Sequence, residues 1–304
     1  MSKSFYSRTI FKLVLIIVLV LILVGFMNLK FDRLNPKDLY SQISNNLIER
    51  LKTIDDPSFA SLNKEDAKNF KEFLKEISEV SEVQKLIPIQ VLLTTIKFMI
   101  SGVDEYDPSL IRFVRSIIQV PHPRSELNLE SKAKKDFSQN GQSPKIDSLL
   151  NQQRNGFFVE AGGFDGEALS NTLFFELERD WTGLLIEPIP YFYKTIKSKK
   201  RHIYSINACI ADKKPFVAKF RVMGALSGVE AEMSAGHLTR IRSESIQYKV
   251  KEEIAYIPCF SMNTIMRALN RTTIDYFSLD VESAELPILR SIDFKQLNIR
   301  SFSI

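Results

Sequence analysis

Hydrophobic positions change their period along this chain, and each change predicts a different kind of element. An apolar run from Leu13 to Met27, broken only by Gly25 and extended weakly to Leu29, comes first. At about 1.5 Å per residue, a helix over residues 13–29 covers roughly 26 Å, enough for a thin bilayer. From Asn63, a candidate N-cap with Asp66 in the first turn, the residues Ala67, Phe70, Leu74, Ile77, Val80 and Val83 recur at helical spacing as one buried stripe. A second apolar helix is expected from Pro88 to about Ile100, and a third from Ser109 until Pro121-His122-Pro123 stops it. A polar stretch from Arg124 to Gly141 reads as a linker, and Pro144 opens a short helix through Leu150. Beyond about Asn151 short apolar runs alternate with helical segments, the pattern of an open α/β sheet. Strands are expected at Phe157 to Glu160, Gly183 to Ile186, Ile203 to Asn207, Tyr256 to Phe260, Asp275 to Asp280 and Arg300 to Ile304. The predicted organisation is a tail and transmembrane anchor over 1–30, a helical stem and linker over 31–150, and an α/β domain over 151–304.

Composition adds limits. With 304 residues, 44% hydrophobic and 25% charged, the chain can bury one or two cores, so a globular protein with an attachment is expected. The net charge of +5 comes from scattered residues with short clusters at Lys132, Lys134, Lys135 and at Lys197, Lys199, Lys200, Arg201. No aromatic stripe or binding motif accompanies them, which argues for solvated faces and against a nucleic-acid partner. The exit of the first apolar run, Leu23 to Met27, lacks the small residues of a cleavage site, so an uncleaved anchor is expected rather than a signal peptide. Lys3, Arg8 and Lys12 before it balance Lys30, Arg33 and Lys37 after it, and charge alone leaves the orientation open. Asn270-Arg271-Thr272 is a glycosylation sequon for a lumenal domain. Cys209 and Cys259 have no metal-ligand spacing, and either a disulfide or two buried thiols accounts for them. No metal site is assigned.

Three segments carry candidate chemistry. The first strand leads into Glu160-Ala161-Gly162-Gly163-Phe164-Asp165-Gly166 and, by expectation, directly into a helix, so glycines stand where backbone must approach a ligand. The next strand ends in Glu187-Pro188, an acid placed to accept the two hydroxyls of a ribose. A dinucleotide would set its pyrophosphate at the helix N-terminus, where Asp165 and Glu167 bring negative charge; the cationic, phosphate-free S-adenosylmethionine is compatible with such a turn. A glycine turn that binds nothing remains the plain alternative. The third segment, Ile274 to Glu285, is a strand that delivers Asp280, Glu282 and Glu285 to its carboxyl end. Those carboxylates suit a substrate hydroxyl, its proton or a divalent ion, while a helix cap is the competing role. His237 is read as a structural histidine in a loop of the insertion from Met223 to Ile254.

On these residues the sequence resembles the FkbM-type methyltransferase domain: Glu160 to Gly166, Leu185 to Pro188 and Leu279 to Leu286 are similar to its three signature segments. Asp107 to Ile111, Asn140 to Ser143, Phe157 to Leu173 and Trp181 to Pro188 are similar to the membrane-anchored, Star-like branch. The resemblance implies a Rossmann-like S-adenosylmethionine methyltransferase fold. Glu160, Gly162 and Gly166, with Gly163 and Asp165 in the same turn, would surround the methionine portion. Glu187 and Pro188 would lie at the ribose, Asp280 near the transferred methyl, and Asp280, Glu282 and Glu285 would form the catalytic set. It implies O-methyl transfer to a hydroxyl-bearing small molecule or glycan. The Star-like branch implies instead a type II protein of the endoplasmic reticulum or Golgi, its domain lumenal, assisting export of growth-factor precursors as cargo. Ser283 stands where the family's D-V-E-G-A-E has glycine, which predicts strain or occlusion there. The chain stops at Ile304 inside a strand-like run, and a C-terminally truncated sheet is expected.

Overall fold

A computed structural model describes Val83 and residues 86–304, Glu282 and Ser283 excepted. The expected anchor over 13–29 and, but for Val83, the helix expected from Asn63 lie outside the described residues; among those described no helix is long and apolar enough to cross a membrane. Two compact units are present, one ending at Gly102 and one spanning Val103–Ile304. In the first, α1 (Ile89–Ser101) follows Pro88 and ends at Gly102, whose left-handed backbone returns its N–H to Met99.

The second unit begins with α2 (Pro108–Ile117), capped by the Asp107 carboxylate on the N–H groups of Ser109 and Leu110. After a polar segment comes α3 (Gln142–Leu149). Then β1 (Phe157–Ala161), α4 (Leu173–Arg179), β2 (Thr182–Ile186), α5 (Pro190–Lys199) and β3 (Tyr204–Ile206) build parallel β-α-β crossovers. An insertion follows, of β4 (Cys209–Ala211), β5 (Phe216–Val222), β6 (Gly228–Val229), α6 (Ala235–Tyr248) and β7 (Glu253–Ser261). The chain returns through α7 (Met262–Ala268), β8 (Thr273–Ile274), β9 (Tyr276–Leu279), α8 (Glu285–Ser291), β10 (Asn298–Ile299) and β11 (Phe302–Ser303).

The main sheet has the order β11-β9-β1-β2-β3 and is parallel throughout. Strand order therefore reverses between β1 and β9, and in open α/β sheets that reversal leaves a crevice at the carboxyl edge. Its strands are apolar on both faces, so they read as continuous hydrophobic runs. Phe158, Phe175, Trp181, Leu185, Ile196 and Tyr276 pack into one core. The insertion forms a second sheet, β4-β7-β5-β6, in which Cys209 and Cys259 are register partners, joined as a disulfide.

Several expectations change here. The compact unit starts at Val103, so the segment read as stem and linker from there to Leu150 packs with the α/β domain. Arg115 Nε donates to the Ala268 carbonyl at 2.7 Å, and Glu105 accepts from Asn263 Nδ2 at 2.9 Å. The linker is strapped down by charge: Glu167 accepts the N–H groups of Glu130 and Ser131, and the buried Lys199 ammonium bridges Glu130 and Glu167 at 2.7 and 2.8 Å. The glycine turn does not run directly into a helix. Residues 162–172 form an extended loop before α4, and Arg201, bonded to Glu176, Gly166 and Ser170, holds it in place. His237 lies in the first turn of α6, not in a loop, with Nε2 2.9 Å from the Leu226 carbonyl oxygen.

Candidate active site

The carboxyl ends of β1 and β2 meet at the glycine turn. Gly162 and Gly163 both donate to the Ile186 carbonyl, at 3.0 and 3.3 Å, and the Asp280 N–H donates to Ala161 at 3.1 Å. Gly162 is left-handed at φ +85°, and a Cβ there would stand 1.9 Å from the Asp280 carbonyl oxygen. No other residue lets β1 turn under β9 this closely. Around the turn opens a cavity of about 430 Å³, within the usual size of a small-molecule site. Its walls include Glu160, Gly162, Gly163, Phe164, Asn171, Glu187, Pro188, Phe192, Ser278 and Asp280, with Phe220, Leu226 and Arg240 contributed by the insertion.

Glu187 is 3% exposed. Its oxygens accept the N–H groups of Phe164 at 2.8 Å and Ile189 at 2.7 Å. Burial pushes its carboxyl up to about 8, against those two amides. Asn207 fixes the following turn by donating to the carbonyls of Glu187 and Pro188. Phe164 and Phe192 pair beside it with ring centroids 4.3 Å apart. Phe164 and Leu169, both on the cavity wall, hold positive φ of 47° and 61°, a strained backbone of the kind that clusters at ligand sites.

Glu160 faces the same cavity, but its carboxylate is committed to the protein. Oε1 accepts the Asn171 N–H at 2.7 Å, and Oε2 accepts the hydroxyls of Ser170 at 2.9 Å and Thr172 at 2.5 Å. Burial raises its pKa, while Arg201 and these donors oppose the rise. Asp280 is exposed on the cavity rim, where the protein packed around its carboxyl, and then Glu285, raise its pKa. Glu285 accepts the Val281 N–H at 3.1 Å and so braces the start of α8. Glu282 lies outside the described residues.

Asp165 and Glu167 are not on the cavity wall. Asp165 caps the N–H groups of Glu167 and Ala168, and Glu167 turns to the linker. Burial works against the Glu167 charge, yet Lys199 and the two amides hold its carboxyl below the usual range. The acidic side chains on the cavity wall are Glu160, Glu187 and Asp280 instead, and Gly166 supports the loop from behind, against Ile196. Sequence reasoning assigned no role to Asn171, Ser278, Phe164 or Phe192. Ser278, a small polar residue in the otherwise aromatic and aliphatic strand Tyr276–Leu279, was the available signal.

A parallel sheet of this order, with a cavity and a buried acid at its reversal point, is consistent with a methyltransferase fold. Residues 160–304 match the family model of the methyltransferase FkbM domain, a family that generally uses S-adenosylmethionine. No curated protein and no solved structure matches the chain.

Proposed function

We propose that this domain binds S-adenosylmethionine in the switch-point cavity and transfers its methyl group to a hydroxyl of a small molecule or glycan. The observation that carries this reading is Glu187, a buried carboxyl group on the cavity wall at the end of β2, beside the Gly162 turn. Each of its oxygens has one amide donor, leaving acceptor capacity for ribose hydroxyls. The Phe164 and Phe192 rings offer an apolar wall to the base, and the backbone of Gly162 and Gly163 permits close approach. The residues present thus fit the cofactor, which when bound supplies an electrophilic methyl group. The protein's part is alignment, exclusion of water and proton removal. Asp280, on the cavity rim with its pKa raised by the protein packed around it and by Glu285, suits the role of base for the acceptor hydroxyl.

The test is transfer of radioactive methyl from S-adenosylmethionine by the full-length chain to lysate and glycan acceptors. Glu187→Ala is expected to abolish cofactor binding, and Asp280→Asn to slow transfer about 100-fold with binding kept. Absence of transfer by folded, cofactor-binding protein would count against the enzyme reading.

A second reading is favoured by the disulfide between Cys209 and Cys259, which suits an oxidising compartment. In it the chain is anchored through residues 13–29, its domain is lumenal in the endoplasmic reticulum or Golgi, and it assists secretory cargo in the Star-like manner. Its test is co-purification with cargo by a variant carrying both Glu187→Ala and Asp280→Ala. Retained cargo with no methyl transfer by unaltered protein supports it; cargo lost in that variant ties binding to the cavity.

A further inference from the structure

The floor of the cavity holds one side chain whose hydrogen bonding is incomplete. Asn171 lines the cavity and is 8% exposed. Its backbone N–H goes to Glu160, and its Nδ2 donates to Ser278 Oγ at 2.9 Å. Its Oδ1 is buried and has no partner. Ser278 also accepts from Ser303 Oγ at 3.3 Å, which is in turn 2.7 Å from the Tyr276 hydroxyl. This chain of hydroxyls grips the amide at its Nδ2 end and leaves the acceptor end over. A buried acceptor without a donor is costly, so a donor belongs there.

We propose that Asn171 reads the amino group on the amino-acid arm of the cofactor, the place sequence reasoning gave to Glu160. The inference rests on the reading of the cavity as an S-adenosylmethionine site. Glu160 is less well placed for the task, because Oε2 already accepts the hydroxyls of Ser170 and Thr172 and Oε1 accepts the Asn171 N–H, which leaves one lone pair where three donors already bind. Asn171 is well placed. Glu187 stands beyond β2 and Ser278 near the end of β9, on opposite sides of β1. Two strand spacings, roughly 10 Å, separate those ends. A nucleoside held at Glu187 extends its arm across β1 toward Asn171.

The experiment measures binding of S-adenosylmethionine and of 5′-methylthioadenosine, which keeps the nucleoside and lacks the arm, to the full-length chain in detergent. Asn171→Leu is expected to weaken S-adenosylmethionine about tenfold and to leave methylthioadenosine within about threefold, which also reports that the variant is folded. Asn171→Asp, which keeps an oxygen at the site, is expected to stay within about threefold of the unaltered protein for both ligands. Equal loss of both ligands in Asn171→Leu makes the role structural and overturns the inference. So does an Asp variant that loses as much S-adenosylmethionine affinity as the Leu variant, since the amide would then be acting as a donor. Unaltered protein that binds neither ligand overturns the reading of the cavity and the inference with it.

Discussion

At Gly162 the backbone conformation and the packing make the same demand. With φ at +85° and the Asp280 carbonyl 1.9 Å from any added Cβ, Gly162→Ala must shift β1 against β9. The expected cost is about 2–4 kcal/mol in denaturant unfolding, with loss of cofactor binding. Glu187 sets a pH dependence whose sign follows from its position. Its pKa rises from 4.5 to about 8 on folding, so the folded state holds its proton longer than the unfolded chain. That contribution to stability is fully present below about pH 4.5 and is lost as pH rises through 8. Unfolding measured at pH 5, 7 and 9 is expected to show this decline, and Glu187→Gln to flatten it; an equal slope in the variant would assign the dependence to other groups.

At the scale of elements, the loop over residues 162–172 is held by buried charge rather than by helix formation. Arg201 is 2% exposed and pairs with Glu176 at 2.7 Å while donating to Gly166 and Ser170. Glu176→Ala leaves that guanidinium buried without its counter-charge, and a loss of about 3–5 kcal/mol is expected from thermal or denaturant unfolding. The same loop shows where sequence reading falls short. Hydrophobic runs located β1, β2 and β9 within a residue or two, because strands buried on both faces are predominantly apolar. The missing helix start followed from Ser170, Asn171 and Thr172 turning back to Glu160, a contact across ten to twelve residues that no local pattern records. Strand β5 was overlooked although Phe216–Val222 alternates, with Lys219 and Arg221 on its outer face.

For the molecule as a whole, the insertion completes the site. It supplies Phe220, Leu226 and Arg240 to the cavity, and the disulfide ties its β4 to its β7. Reduction is expected to lower stability by about 2–4 kcal/mol, measured by denaturant titration with and without a thiol reductant. A change confined to the insertion would appear as altered proteolysis there with the main sheet intact.

The sequence by itself determined the α/β class, the glycine turn and the acid at the end of β2. These depend on local periodicity and on residue types that only one conformation or one chemistry suits. Tertiary structure alone decided which carboxylates face the cavity. Asp165, Glu167 and Glu160 stand within eight residues of one another, yet one caps its own loop, one clamps the linker and one seals the floor. The reason is physical: a charge in the sequence has no direction until folding offers it partners, and a buried charge goes where its partners are.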